Sequence, residues 1–281
     1  MKTRTIQAYR ISNAVVDLIY KASFSLPCAV EKSIDRMLQD EDTELARTTL
    51  TILKENNDIA GAEGLPLCQD CGAVIVFIEI GQAVLVEGSL AAAVNSGVEE
   101  AYRKFSLRKS IVADPLKRNN TGTNAPAFIH TDLVEGDGLS VTVYLKGGGS
   151  ENMSALKMFR PTDSAEAIVD FIEETVVRAG PNPCPPLFLG VGIGGTADTA
   201  MVNAKKAVLR EAGTRHPDPV YADLERRIEE RLNATGVGPL GFGGRSTAAW
   251  VSIKEAPTHI AMLPVALNLN CHSLRFGTAE L

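Results

Sequence analysis

The chain has 281 residues, 45% of them hydrophobic and 22% charged, which is typical of a globular protein with one large domain or two moderate ones. Its formal net charge of −6 argues against nucleic acid as the main partner, because nucleic-acid-binding surfaces are usually basic. No run approaches the roughly 18 apolar residues of a membrane-spanning helix, and the N-terminal segment lacks a signal-peptide core, so we expect a mature cytoplasmic protein without a membrane partner.

The N-terminal part of the chain is predicted to be helical. The spacing of apolar residues such as Val30 and Ile34 predicts helix over residues 8–57. After a break rich in glycine, residues 73–80 are predicted to form a buried strand, because this run is short and rich in β-branched residues. A helix over residues 90–105 and an Asn-rich loop follow.

The central part of the chain alternates between strands and helices. Strands near residues 127–133 and 139–146 are predicted to pair as a hairpin, because residues 135–138 read Glu-Gly-Asp-Gly, which is typical of hairpin turns. The next predicted elements are a helix at residues 165–178, a strand at residues 187–191 and a helix at residues 196–209.

The last predicted helix begins at Asp218, a suitable N-cap residue, because Pro219 follows at the first helical position. Its buried stripe and its end are predicted from Leu224, Ile228, Leu232 and Gly236. Two final strands are predicted near residues 247–254 and 260–267. Since no linker or repeat divides the sequence, we predict a single domain of mixed α/β class over residues 1–281, with a helical part over about residues 1–60.

The five cysteines are an odd number in a chain without an export signal, so metal-binding or reactive thiols are expected rather than disulfides. Cys68, Cys184 and Cys271 each lie in a predicted loop beside proline or polar residues. Packing cysteines usually occur inside apolar segments, whereas a thiolate needs nearby donors, cations or a metal. Three such loops would meet the needs of a three-thiolate iron–sulfur site with one open iron. Cys28 is interpreted as a packing residue between two helices.

A glycine motif in the second half of the chain admits a second interpretation. Gly190, Gly192 and Gly195 fit the G-x-G-x-x-G pattern of dinucleotide-binding loops. The proline-rich segment before them is atypical of such loops, so we favour a tight turn that holds an anion or supports the Cys184 loop. NAD binding remains the alternative.

Cys68 and Cys71 form a C-x-x-C pair, which also occurs in redox and zinc sites. A zinc site would need a second pair or two close histidines, and the sequence offers neither. A thioredoxin-type pair opens a helix, whereas a strand is predicted after Gly72. A redox pair remains a second alternative.

Other candidate ligand-binding residues are found between the cysteine loops. The triple glycine at residues 147–149 lets a ligand approach the backbone closely, at an entropic cost that a plain loop need not bear. Arg108 and Arg118 flank the Asn-rich loop, and each is a candidate for binding a carboxylate, although surface arginines fit the spacing equally well. His259 lies at a strand start, where a lone histidine is more often structural.

Together, these segments resemble the α subunit, or N-terminal domain, of the class I fumarase and tartrate dehydratase family of iron–sulfur hydro-lyases. The matching stretches read LPLCQD, GAVIVFIEIG, LRKSIVADPLKRNNTGTNAPAFIH, KGGGSEN, CPPLFLGVGIGGTAD, GPLGFGG and APTHIAMLPVALNLNC. They occur in family order from about residue 10 to residue 275, so the resemblance covers nearly the whole chain.

The resemblance implies that Cys68, Cys184 and Cys271 hold a [4Fe–4S] cluster whose open iron acts as a Lewis acid. The implied substrate contacts are Gln69, Asp70, Arg108, Gly148 and Gly149. Asp70 and His259 are the implied catalytic residues, and His259 is expected to reach the site from a neighbouring subunit. Three positions depart from the family pattern: Cys71 replaces a threonine, His272 an aromatic residue and Arg245 a lysine.

The sequence ends at Leu281 without the family's β-type domain, so we expect a separate β subunit, in an αβ hetero-oligomer or with a homodimerising α chain.

The expected reaction is the reversible dehydration of a small 2-hydroxy dicarboxylate. We predict (S)-malate to fumarate, because the KGGGSEN stretch favours the fumarase branch. The alternatives are dehydration of L-tartrate, hydration of mesaconate and, in another class, a non-catalytic iron–sulfur or redox-sensing protein.

Overall fold

The computed structural model describes residues 3–281, a mixed α/β structure. In chain order its elements are β1 (Arg4–Gln7), α1 (Ala8–Phe24), α2 (Cys28–Asp40), α3 (Glu44–Glu63), β2 (Ala73–Gly81), β3 (Val84–Glu87), α4 (Leu90–Lys104), β4 (Phe128–Val134), β5 (Leu139–Lys146), α5 (Gly148–Glu151), β6 (Ala155–Phe159), α6 (Ala165–Ala179), β7 (Leu187–Gly194), α7 (Ala197–Ala207), α8 (Pro219–Asn233), β8 (Ala248–Ala256), β9 (Leu263–Asn270) and β10 (Arg275–Glu280). None of the helices within these described residues is long and apolar enough to cross a membrane.

The chain divides into two compact units, each built around its own sheet. The first unit comprises the chain up to Pro27, residues Asn57–Gly148 and residues Arg275–Leu281. The second unit comprises residues Cys28–Asn56 and Gly149–Leu274. The predicted mixed α/β class is confirmed. The single domain stays a prediction, because two compact units can belong to one domain.

The first unit has a sheet with strand order β10-β5-β2-β4, in which β2 runs parallel to β4 and antiparallel to β5. Alternate residues of β2 and β5 share one hydrophobic core with helices α1 and α4. Core residues from these elements include Ile11, Val15, Val76, Val94, Val98, Val141 and Val143. Because successive side chains of a strand point to opposite faces of the sheet, these alternate residues turn one sheet face toward the two helices.

The predicted hairpin of β4 and β5 is wrong. Both strands form where expected, but β2 lies between them and pairs with each. Residues 135–138 instead cross the end of β2, where Gly81 donates to the Gly138 carbonyl and Ala83 to the Gly136 carbonyl, at 2.8 and 2.9 Å. Turn residues indicate that the chain reverses direction, but they do not show whether the two flanking strands pair with each other or with a third strand between them.

The second unit has a sheet with strand order β6-β9-β7-β8, in which β7 runs parallel to β8 and antiparallel to β9. Leu189 and Val191 of β7 face a core shared with helices α6 and α8, which is the arrangement the buried stripe of α8 predicts. Asp218 caps α8 as predicted, since its side chain accepts the Val220 N–H at 2.8 Å.

Helix α7 packs against the other face of β7, and the glycine motif makes this possible. Gly190 and Gly192 lie inside the strand, where an added Cβ would come within 1.9 Å of the Ala204 carbonyl oxygen and 2.0 Å of the Ala200 carbonyl oxygen. The two glycines therefore permit close contact between helix and strand. The predicted anion-holding turn is wrong for these two positions, and the geometry equally disfavours a dinucleotide fingerprint there.

The predicted boundaries differ from the structure in several places. The N-terminal helical region is interrupted at residues 25–27 and 41–43 and continues to Glu63. The short strands β1, β3, β6 and β10 have no counterpart among the predictions. The last two predicted strands form, although β9 is shifted toward the C-terminus and ends at Asn270, so that Cys271 directly follows it.

The buried carboxylate of Glu41 anchors the start of β8 within the second unit. Its oxygens accept the Thr43 and Arg245 N–H groups, and both the N–H and the hydroxyl of Ser246, the latter at 2.6 Å. Burial by itself would raise the pKa of Glu41, but the hydrogen bonds from Ser246, Thr43 and Arg245 together hold this pKa below its ordinary value. The ionised carboxylate is therefore the form that stabilises the fold.

We expect Glu41→Gln to lower the free energy of unfolding at neutral pH by about 1–3 kcal/mol, because a buried acceptor of several hydrogen bonds is lost. A lowered folded-state pKa adds stability above the ordinary glutamate value of 4.5, and that stability disappears as the pH falls through the folded-state value. The difference in the free energy of unfolding between wild type and variant should thus become smaller at acidic pH. Urea unfolding across this pH range measures this difference, and the exposed Glu55→Gln is the control. A difference that stays constant with pH would contradict the assignment of Glu41 as an ionised acceptor.

Candidate active site

The Cys68 loop lies between α3 and β2 in the first unit. Cys68 and Asp70 are half-buried and Gln69 is exposed, whereas Cys71 is only 3% exposed and belongs to the hydrophobic core. Both Cys68 and Cys71 are free thiols. Burial raises the pKa of the Cys71 thiol, which disfavours a reactive thiolate there. The C-x-x-C motif therefore contains one accessible cysteine and one core cysteine.

Asp70 joins the Cys68 loop to the triple-glycine turn. Its carboxylate accepts the Gly72 N–H at 3.0 Å through one oxygen and the Gly148 N–H at 2.8 Å through the other. Arg275, which is 1% exposed, donates from its guanidinium to the Asp70 carbonyl oxygen at 2.9 Å. Asp70 is thus fixed in place and holds the glycine turn against its own loop.

Two buried side chains that sequence reasoning missed also hold this loop. The Tyr102 hydroxyl donates to the carbonyl oxygens of Cys71 and Gly72, at 2.8 and 3.0 Å. The Asn124 amide donates to the Gly72 carbonyl oxygen at 3.2 Å. Burial raises the pKa of Tyr102, so its hydroxyl stays protonated and remains a donor. No local sequence signal marks these residues, because their partners are distant along the chain.

Arg108 follows α4 in the first unit. Its backbone N–H donates to the Cys71 sulfur at 3.2 Å, while its side chain is exposed. The salt bridges found among residues 3–281 do not include its guanidinium. Arg118 is also exposed, and it lies in the left-handed region with a φ of 61°.

Gly148 and Gly149 begin a single helical turn, α5, and Gly147 directly precedes it. Gly148 and Gly149 are exposed. An added Cβ on Gly147 would lie 3.4 Å from an Asp70 carboxylate oxygen, and one on Gly149 would lie 3.1 Å from the Asn182 carbonyl oxygen. The absence of side chains therefore lets this backbone lie close to these protein atoms, and the close approach of a ligand stays a prediction.

Within the second unit, an ion pair fixes the turn from its other end. Both carboxylate oxygens of Glu151 lie 2.6 Å from the Lys205 ammonium group of α7. The Lys205 side chain is only 13% exposed, whereas that of Glu151 is 42% exposed. Glu151 and Lys205 thus connect the last residue of α5 to helix α7 within the second unit.

The Cys184 loop and the Cys271 loop are neighbours within the second unit. Cys184 is exposed and has a φ of 55°, in a segment where its own N–H donates to the Pro181 carbonyl oxygen at 2.9 Å. Cys271 is half-buried directly after β9. The two loops are joined by a hydrogen bond from the His272 N–H to the Cys184 carbonyl oxygen, at 3.1 Å.

His259 lies in the exposed turn between β8 and β9. Its Nδ1 accepts the Ala261 N–H at 3.1 Å, so a neutral ring carries its proton on Nε2. The next residue, Ile260, is 90% exposed. The structure thus places this histidine on the surface of the second unit.

The thiols that the sequence singles out are chemically suited to an iron–sulfur cluster. Cys68, Cys184 and Cys271 form no disulfide, are solvent-accessible and lie in loops, and two of the loops are hydrogen-bonded neighbours. Three thiolates without a fourth leave one iron open, so the donor set fits. Cys68 belongs to the first unit and the other two cysteines to the second, and no group of three His, Cys, Asp or Glu side chains that could hold a metal ion occurs among residues 3–281.

Cys28 differs from its prediction. It is the first residue of α2 and is exposed, so the packing role is wrong.

Comparison with known proteins identifies the family. Residues 12–280 match the family described as Fumarate hydratase (Fumerase). A putative L(+)-tartrate dehydratase subunit alpha of Methanocaldococcus jannaschii is 41% identical over 270 residues, which cover 93% of this chain and 94% of that protein. The L(+)-tartrate dehydratase subunits alpha of Escherichia coli strains UTI89 and K12 are 32% and 31% identical, and each match covers 96% of this chain and 90% of the relative. The chain therefore belongs to the fumarate hydratase (Fumerase) family of hydro-lyases.

Proposed function

We propose that this chain is the α subunit of an iron–sulfur hydro-lyase that dehydrates L(+)-tartrate, completed by a separate β subunit. The observation that carries the proposal is the similarity to proteins named L(+)-tartrate dehydratase subunit alpha, which extends over more than nine-tenths of the chain. These names support tartrate better than the (S)-malate expected from the KGGGSEN stretch. They also support a β partner, because each relative is named as one subunit.

The interconversion of (S)-malate and fumarate is the second candidate, and the family description supports it. The two reactions share a dicarboxylate skeleton, and the substrates differ by one hydroxyl group. A site that hydrogen-bonds that hydroxyl discriminates strongly against the analogue that lacks it. Kinetic comparison therefore separates the two candidates.

In the proposed enzyme, Cys68, Cys184 and Cys271 hold the [4Fe–4S] cluster. When bound, the cluster supplies a Lewis acid for the leaving hydroxyl group. The accessibility of all three thiols and the contact between the Cys184 and Cys271 loops support this assignment. Cys71 is not a ligand in this proposal, because it is buried in the core.

The remaining residues bind and orient the substrate. Arg108 binds a substrate carboxylate, because its side chain is exposed and two N–H groups of a guanidinium can donate to the two oxygens of a carboxylate. Gln69 and the exposed backbone at Gly149 supply further donors, which stabilise the negative charge that develops beside the leaving group, whereas the Gly148 N–H already donates to Asp70. Asp70 keeps the turn in place through its bond to the Gly148 N–H, so its proposed contribution is to orient these donors.

Removal of the carbon-bound proton needs a group other than the binding residues named above. The proton beside a carboxylate must be removed by a base, which we assign to the β subunit. His259 is proposed to act in the site of a neighbouring subunit, since its ring is on the surface and its Nε2 is a donor when neutral. The α chain alone is therefore expected to have little or no turnover.

A substrate panel on the αβ complex tests the function. We expect kcat/KM for L(+)-tartrate to exceed that for (S)-malate by at least about a hundredfold, because a site that binds the second hydroxyl loses a hydrogen bond with malate. The α chain alone serves as control and should be inactive. Equal or faster turnover of malate would contradict the tartrate proposal and support a fumarase. Full activity of the α chain alone would contradict the need for a β subunit.

Cysteine variants test the cluster ligands without reference to turnover. After anaerobic reconstitution, we expect Cys68→Ala, Cys184→Ala and Cys271→Ala to lose most of the bound iron and sulfide, because each removes one of three thiolates. Cys28→Ala is the matched control, since Cys28 is also an exposed thiol, and it should retain the wild-type content. Iron and sulfide content equal to wild type in any of the first three variants would remove that cysteine from the ligand set.

A further inference from the structure

The backbone of Arg108 leaves helix α4 along a fixed path. Ser106 adopts a left-handed conformation with a φ of 55°, which turns the chain out of the helix. The Leu107 N–H then donates to the Tyr102 carbonyl oxygen at 3.0 Å, and the Leu107 side chain is buried in the core of the first unit. The chain is therefore anchored immediately before Arg108.

The anchor at Arg108 itself is the sulfur of Cys71. The Arg108 N–H donates to this sulfur at 3.2 Å. Two residues later, the Ser110 N–H donates to the side-chain oxygen of Asn124 at 2.7 Å. Thiol sulfur is a weak acceptor. An N–H left without a partner next to the core costs more than the bond gains, so even a weak acceptor restrains the backbone at this point.

Cys71 also belongs to the loop that carries Gln69 and Asp70. Its carbonyl oxygen accepts the Tyr102 hydroxyl, and its side chain is packed in the same core as Leu107. One residue thus connects the segment with Asp70 to the segment with Arg108. Neither a simple packing cysteine nor half of a redox pair requires the sulfur to accept a backbone N–H.

We propose that Cys71 is a positioning residue whose sulfur holds the backbone of Arg108, and so places the Arg108 guanidinium to bind a substrate carboxylate. This inference rests on the proposed function, in which Arg108 is the carboxylate-binding residue. The role needs an acceptor atom at this position, and it does not need a thiol. A hydroxyl group of suitable reach can replace the sulfur.

A matched pair of substitutions isolates the acceptor. Cys71→Thr places a hydroxyl oxygen beside the Arg108 N–H, whereas Cys71→Val has nearly the same shape without an acceptor, so both share any change in packing. In the reconstituted αβ complex, we expect Cys71→Val to raise KM for L(+)-tartrate roughly fivefold to tenfold relative to Cys71→Thr, which is the effect of losing one hydrogen bond. Values of kcat and of bound iron should match between the two variants.

The Arg108→Met background shows whether the effect passes through Arg108. Arg108→Met alone should raise KM by more than about tenfold, since a charge-assisted pair is lost. In that background, the Thr and Val variants of Cys71 should have the same KM, because there is no guanidinium left to position. Amide hydrogen exchange of the α chain gives a readout independent of activity: the Arg108 N–H should exchange faster in Cys71→Val than in Cys71→Thr.

The possible results distinguish this inference from the proposed function. If Arg108→Met raises KM but the Cys71 variants have equal KM values and equal exchange rates, the positioning role is contradicted and the function stands. If Arg108→Met leaves KM unchanged, the proposed role of Arg108 in binding substrate fails, and the positioning role fails with it. A KM difference between the Cys71 variants that persists in the Arg108→Met background would also overturn the inference.

Discussion

The Asp70 carboxylate is the interaction on which the geometry of the candidate site depends. One oxygen closes the Cys68 loop by accepting the Gly72 N–H, and the other holds the start of the glycine turn by accepting the Gly148 N–H. Arg275 fixes the Asp70 backbone from the last strand of the chain. Segments that are remote in sequence are thereby kept in one arrangement, and a carboxylate that accepts two backbone N–H groups is well suited to this role.

The five cysteines are divided by their surroundings into three kinds. Cys71 is buried, and its sulfur accepts a backbone hydrogen bond. Cys28 is exposed at the start of a helix, away from any loop that resembles a ligand site in sequence. Cys68, Cys184 and Cys271 are accessible and lie in loops at the ends of strands or helices, which is where thiolate ligands find backbone donors. Burial and loop position thus separate the proposed ligands from the other two cysteines.

The sequence predicted the positions of the strands, helices and loops that carry the site better than it predicted the pairing of the strands and the contacts between distant residues. Strand β2, helix α8 and the three cysteine loops were predictable, because apolar periodicity and proline or glycine punctuation are local signals. The pairing of β4 with β2 was not, since turn chemistry does not identify the neighbour of a strand. Arg275 contacts a residue 205 positions away, and Tyr102 and Asn124 likewise act on a distant loop, so no local pattern could mark them. The glycines of β7 were misassigned because the pattern for close helix packing is the same as that for a phosphate-binding turn.

The proposed function depends on Cys68, Cys184 and Cys271 together holding a cluster with one iron open to the substrate. Its most direct test is the EPR spectrum of the reduced cluster in the anaerobically reconstituted αβ complex, recorded with and without L(+)-tartrate. We predict a [4Fe–4S] signal that shifts on addition of tartrate, because the open iron of the bound cluster would supply the Lewis acid at which the substrate binds. A cluster signal that no dicarboxylate alters, or a complex that turns over tartrate without any cluster, would contradict the account.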